Sequence, residues 1–101
     1  MAQFDVHENR SPDSKERVPY LLDIQHDLLT HLKTRVVIPL VLEKKPITHL
    51  NPMVEIEGKR MMLSTQEMAG VSTNILGKRV ASLAQNRDEI VHAVDFLVTG
   101  F

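Results

Sequence analysis

The sequence predicts a mainly β fold, a small barrel or sandwich carrying one C-terminal helix. Three observations lead there. Several short apolar, β-branched runs are separated by Gly, Pro, Asn and Asp turn signals. One amphipathic helical pattern occupies the last sixteen residues, Asn86 to Phe101. Strands and helices do not alternate as a parallel sheet would require. A chain of 101 residues supports one modest core, so residues 1–101 are expected to form a single domain.

The elements follow in order. Phe4 and Val6 alternate with Asp5 and suit a short first strand, whereas His7 to Lys15 is polar and turn-rich and reads as a mobile loop. Tyr20-Leu21-Leu22-Asp23-Ile24 reads as a strand that Gln25-His26-Asp27 closes, and Leu28 to Leu32 suits one helical turn. Arg35 to Leu42 is the strongest strand, apolar on both faces and so expected at the centre of the fold or at a subunit contact. Pro39 within it lacks a donor and marks an edge or a bulge. Met53 to Glu57 alternates cleanly, and Gly58-Lys59 turns it into Arg60 to Ser64 as a hairpin. Gln66 to Leu76 is mixed, with room for a turn of helix, and Gly77 to Val80 leads into the final helix. There Asn86 is an N-cap candidate with Glu89 at the capping-box position. Ile90, Ala93, Val94, Leu97 and Phe101 share a face, and Gly100 ends the helix in the left-handed region.

Composition excludes several classes. Hydrophobic residues make up 43% and charged residues 25%, with a formal net charge of −1. No basic run exceeds Gly58-Lys59-Arg60 or Glu43-Lys44-Lys45, which argues against sequence-specific nucleic-acid binding by this chain alone. The absence of cysteine removes disulfide and thiolate chemistry and fits a reducing compartment. No signal-peptide pattern and no apolar run of membrane length occur, so a soluble cytoplasmic protein is expected, without membrane attachment.

The catalytic inventory is thin. His7, His26, His31, His49 and His92 show neither HExxH nor any other ligand spacing and read as surface histidines, so no metal is expected. No P-loop, GxGxxG or GxSxG pattern points to a cofactor or a nucleophile. His26 and Asp27 with Arg35 would make an acid–base set for phosphodiester cleavage, but adjacent residues of an extended segment face opposite ways. Met53, Met61, Met62 and Met68 read as core filler rather than a binding stripe.

Four segments in order resemble the CcdB family of toxins from type II toxin–antitoxin modules. They are Leu22-Asp23-Ile24-Gln25 with Asp27-Leu28-Leu29, then Arg35-Val36-Val37-Ile38-Pro39-Leu40, then Leu50-Asn51-Pro52 leading to Met61 through Ala69, and the terminal helix ending in Gly100. The resemblance covers essentially the whole chain. It implies an SH3-like small β-barrel with a long C-terminal helix, shared with ribonuclease toxins of the MazF and Kid type. It further implies a homodimer that is not an enzyme, has no cofactor and binds the A subunit of DNA gyrase. Such a toxin traps gyrase on cleaved DNA and is neutralised by a cognate CcdA-like antitoxin. The family's gyrase-contacting positions match Leu28, Leu29, Asp95, Val98, Thr99, Gly100 and Phe101.

The chain departs from the family at its end. The best-known member finishes in Trp-Gly-Ile, and here Thr99-Gly100-Phe101 stands instead. Threonine buries far less apolar surface than tryptophan, so either Phe101 takes over as anchor or gyrase poisoning is weak. Phe101 also has a local alternative, folding back on Leu97 beyond the C-cap. Leu28 and Leu29 are adjacent, so at least one is expected to be exposed. The Arg35–Leu42 strand supplies an argument for the homodimer, since one barrel layer in a chain this small is not expected to cover both faces. Two other readings remain open at this stage, a MazF-like endoribonuclease and a non-toxic homologue that keeps only antitoxin binding.

Overall fold

Among the described residues, apolar alternation resolves into seven antiparallel strands of one sheet, on which a single α-helix packs. The computed structural model describes residues 1–42 and 44–100. The strands are β1 (Asp5–Asn9), β2 (Tyr20–Asp23), β3 (Thr34–Leu42), β4 (Met53–Ile56), β5 (Lys59–Leu63), β6 (Ala69–Ser72) and β7 (Leu76–Ser82), and the helix is α1 (Arg87–Thr99). The order across the sheet is β4-β5-β3-β2-β1-β7, with β6 also paired to β3. The expected mainly β domain with a C-terminal helix is thus observed as a half-barrel.

The nine-residue β3 organises the sheet. One edge pairs with β2, and the other is shared between β6 at Thr34–Val37 and β5 at Leu40–Leu42. Pro39 therefore lies inside the sheet rather than on an outer edge. Its carbonyl accepts from Ser64 N at 2.9 Å, so its nitrogen faces the same side, where β6 has ended and β5 begins. The missing donor falls at that gap.

Side chains from both sheet faces find cover within the chain. On one face Val6, Leu22, Ile38, Leu40, Met61 and Leu63 pack with Ile90 of the helix. On the other, Leu21, Val37, Val41 and Met62 pack with Val18 and Leu76. This corrects the expectation that the second face of β3 needs a symmetry mate. The 10–19 segment brings Val18 over it, held by Asn9, whose amide donates to Ser14 Oγ and the Val18 carbonyl. Met61 and Met62 are buried and Met53 and Met68 partly buried, as core filler should be.

Several local expectations shift. β1 extends through His7 and Asn9, so part of the expected mobile loop is strand, and His7 is buried rather than on the surface. Its Nδ1 lies 3.0 Å from the Gly77 carbonyl, an interaction that requires the proton on Nδ1. β6 and β7 occupy stretches read as mixed or as helix lead-in. The β4–β5 turn is Glu57-Gly58, one residue earlier than expected, with φ of 51° and 77°, as a two-residue type I′ hairpin requires.

The tip of that hairpin is tied to β2. Tyr20 Oη donates to Glu57 Oε1 at 2.6 Å. This hydrogen bond, then burial, then repulsion from the carboxylate push the phenol from its ordinary value of 10.0 up to about 12.

At the helix start, Asn86 stands at the cap position but its side chain makes no capping bond. A 3₁₀ turn, Ala84–Asn86, feeds the helix directly and removes the extended backbone that capping needs. Ile90 and Ala93 are buried, Val94 packs partly against the core, and Leu97 is exposed. The fifth residue of the expected apolar face, Phe101, lies outside the described residues. Among the described residues no helix is long and apolar enough to cross a membrane.

Candidate functional site

The residues singled out by sequence fall on two exposed elements with different supports. The first is the 3₁₀ turn Asp27–Leu29, which contains no buried residue. Leu28 is 81% exposed and Leu29 43%. The second is the end of α1, where Val98 is 76% exposed and Asp95 and Thr99 also face solvent. Gly100 takes φ of 79°, and its N–H donates to the Phe96 carbonyl at 2.9 Å, closing the helix as a left-handed cap. Thr99 Oγ1 donates back to the Asp95 carbonyl at 2.8 Å. The hydroxyl is thereby spent on its own helix, and Val98 is the most exposed large apolar group of the last turn, ahead of Leu97 at 38%.

The turn after β2 rests on a buried polar network that sequence reading did not assemble. Arg35 and Asp23 are 2% and 0% exposed and pair through Nη2 at 2.6 Å and Nε at 2.9 Å to Oδ2. Asp23 Oδ1 accepts from Gln25 N, and Arg35 Nη2 donates to the Gln25 carbonyl. The signal was present as an Asp and an Arg set into two apolar runs. Pairing them requires the β2–β3 register, which places Asp23 opposite Val37 and so one alternate position from Arg35.

The acid–base set imagined from His26, Asp27 and Arg35 is otherwise engaged. His26 Nδ1 accepts from Leu28 N at 3.0 Å, and Asp27 Oδ1 accepts from Gln3 N at 2.8 Å. Arg35 is sealed from solvent, where no phosphodiester reaches it.

A cleft of about 360 Å³ opens between the 46–53 segment and α1, lined by Ile47, His49, Asn51, Met53, Glu89 and His92 among others. His49, at φ of 70°, sets its ring edge-on to His92 at 5.4 Å and tilted to Phe96 at 5.8 Å. It thereby pins this loop to the helix. Among the described residues no group of three His, Asp or Glu side chains is placed to hold a metal ion.

A seven-stranded antiparallel half-barrel with one C-terminal helix defines a small β-barrel domain of the CcdB and MazF type. Residues 3–100 match the family model described as CcdB protein, and the chain belongs to that family of toxins from toxin–antitoxin modules. The fold is also similar to that of the Mycobacterium tuberculosis toxin MazF-mt6, at 13% identity over 93% of this chain and 95% of that one, with a TM-score of 0.77. It is likewise similar to an endoribonuclease in complex with its cognate antitoxin from a mycobacterial species, at 11% identity over 97% and 94% of the two chains, with a TM-score of 0.76. At such identities the likeness concerns the fold alone.

Proposed function

We propose that this toxin acts by binding rather than by catalysis, trapping the A subunit of DNA gyrase on cleaved DNA. Leu28, Leu29, Asp95, Val98, Thr99, Gly100 and Phe101 form the contact surface. The observation that carries the reading is the exposure of Leu28 and Val98, 81% and 76%, on elements whose backbones are fixed by hydrogen bonds. Large apolar groups held out on short ordered elements suit insertion into a partner's apolar groove. Thr99 adds little apolar area in this geometry, so Val98 and Phe101 carry the helix-end contact. The burial of Arg35 in an ion pair supports binding over ribonucleolysis. On this reading the toxin works in the cytoplasm as a homodimer and is released from gyrase by a cognate CcdA-like antitoxin.

The test is a plasmid cleavage assay with purified gyrase, ATP and either the full chain or a chain ending at Thr99. Linear DNA is expected with the full chain and should be lost on truncation. Absence of cleavage at a large excess over gyrase would overturn the reading. Cleavage of RNA by the same preparation would favour the endoribonuclease alternative.

A further inference from the structure

The Leu28–Leu29 turn has no buried residue of its own, and one buried amide ties it to the interior of the fold. The residues of the turn are all exposed. Two leucines on an unanchored turn would be expected to fold down against neighbouring apolar surface or to fray. Here the turn is pinned by polar bonds, of which those from His26 and Asp27 are exposed to competing water. The turn also closes on itself through Leu29 N to the His26 carbonyl and Thr30 N to the Asp27 carbonyl, and its tie to the buried interior comes from Gln25, which is 6% exposed.

Each polar group of Gln25 reaches a different part of the fold. Its N–H donates to Asp23 Oδ1 at 3.0 Å, and its carbonyl accepts from Arg35 Nη2 at 3.3 Å. Its side-chain Oε1 accepts from Val36 N of β3 at 3.0 Å, and its Nε2 donates to the Leu29 carbonyl at 3.1 Å. The buried ion pair thus fixes the backbone of Gln25, and the amide carries that position outward to the turn. Only a side chain that donates at one atom and accepts at the other satisfies both ends. A carboxylate of the same shape keeps the Val36 bond but faces the Leu29 carbonyl with a second acceptor, and a thioether keeps neither.

We infer that Gln25 is a positioning residue for the partner-binding surface, holding Leu28 and Leu29 in the projecting arrangement in which they bind. The inference rests on the reading that this turn contacts the gyrase A subunit. A pre-ordered turn binds without the entropic penalty of ordering, so releasing it weakens binding without removing any contact atom.

The experiment compares the full chain with Gln25→Met, Gln25→Glu and the double variant Leu28→Ala/Leu29→Ala. Three quantities are read: affinity for purified gyrase A subunit by calorimetry, Tm, and amide hydrogen exchange by NMR. In Gln25→Glu, protection of the amides of residues 28–30 should fall at least tenfold relative to wild type. Protection in β3 and β5 should stay within a factor of two, and gyrase affinity should fall at least tenfold. Gln25→Met should show the same local loss, with further loosening at Val36. If Met fails to fold, Glu, which retains the strand contact, decides. A uniform loss of protection across the sheet would mean a merely structural role and would overturn the inference, as would loose turn amides with unchanged affinity. The alanine double variant tests the underlying reading separately. Should it bind gyrase A as tightly as wild type, that reading fails, whatever the exchange data show.

Discussion

Replacing Asp23 by alanine is expected to cost this domain about 3–5 kcal/mol, the range for removing one partner of a buried ion pair. The magnitude follows from burial. Asp23 and Arg35 are 0% and 2% exposed, so deleting the carboxylate strands a guanidinium that water cannot reach. The same change leaves the Gln25 N–H without its acceptor. A surface pair of equal geometry would be worth about 0–1 kcal/mol, so the measurement separates the two cases cleanly. Domains of this size have a total stability of about 5–15 kcal/mol, and the loss is a large share of it. The assay is urea unfolding followed by far-UV circular dichroism at neutral pH. With a slope of about 1–3 kcal/mol per molar urea, the midpoint should drop on the order of 2 M at unchanged slope. A variant within about 1 kcal/mol of wild type would refute the reasoning, since no exposed-pair energetics apply at such burial.

Other perturbations test other parts of the fold. The chain has one tyrosine, so its absorbance titration reports Tyr20 alone. The midpoint should lie near 12, and Glu57→Gln should bring it down toward 10.0 by removing the leading cause of the shift. Because the folded value is raised, the contribution of the neutral phenol to stability is intact below pH 10.0 and is lost as pH rises through about 12. Alkaline unfolding monitored by circular dichroism should therefore steepen across that window in wild type and flatten in Glu57→Gln. Ile90→Ala should cost about 2–5 kcal/mol in urea unfolding, because Ile90 is the helix residue set into the main core at 1% exposure. Gly58→Ala should cost only about 1 kcal/mol, since an added Cβ meets nothing within 4 Å and the loss lies in the positive φ of 77°.

Sequence reasoning found the elements whose signals are local. Alternation at Met53 to Ile56, the β-branched run of β3, and the glycine that ends α1 each carry their cause within a few residues. It missed what depends on register or on distant cover. β7 looked like a lead-in because Gly77, Lys78 and Arg79 are poor strand formers alone, yet β1 captures them through a bulged ladder. His7 looked like a surface residue until the Gly77 carbonyl supplied a partner across that ladder. The dimer argument from β3 failed because Val18, sequence-distant and set in a polar stretch, covers the second face. For the candidate site, the exposure of at least one of Leu28 and Leu29 was legible from adjacency, whereas Val98 lay off the apolar helical face and was singled out by the family resemblance alone. The supporting network was not legible, since Asp23, Gln25 and Arg35 meet only once β2 and β3 pair.

That network poses a sharper question than stability. A buried ion pair is weak grounds for stability, because well-packed apolar residues of similar volume often replace one at no loss. Asp23→Leu combined with Arg35→Met removes both charges together and is expected to recover most of the stability lost by Asp23→Ala. What the apolar pair cannot replace is direction. The Gln25 N–H would lose Asp23 Oδ1 and the Gln25 carbonyl would lose Arg35 Nη2, so the backbone of the residue that reaches out to Leu29 would lose both side-chain partners and keep only its side-chain bond to Val36 N. The double variant should therefore unfold near the wild-type urea midpoint yet show a loosened 28–30 turn by hydrogen exchange and, on the proposed gyrase-binding reading, weaker binding to gyrase A. Wild-type binding by such a stable double variant would show that the ion pair serves the core alone. Restored stability without restored binding would show that the charges are kept to aim the turn.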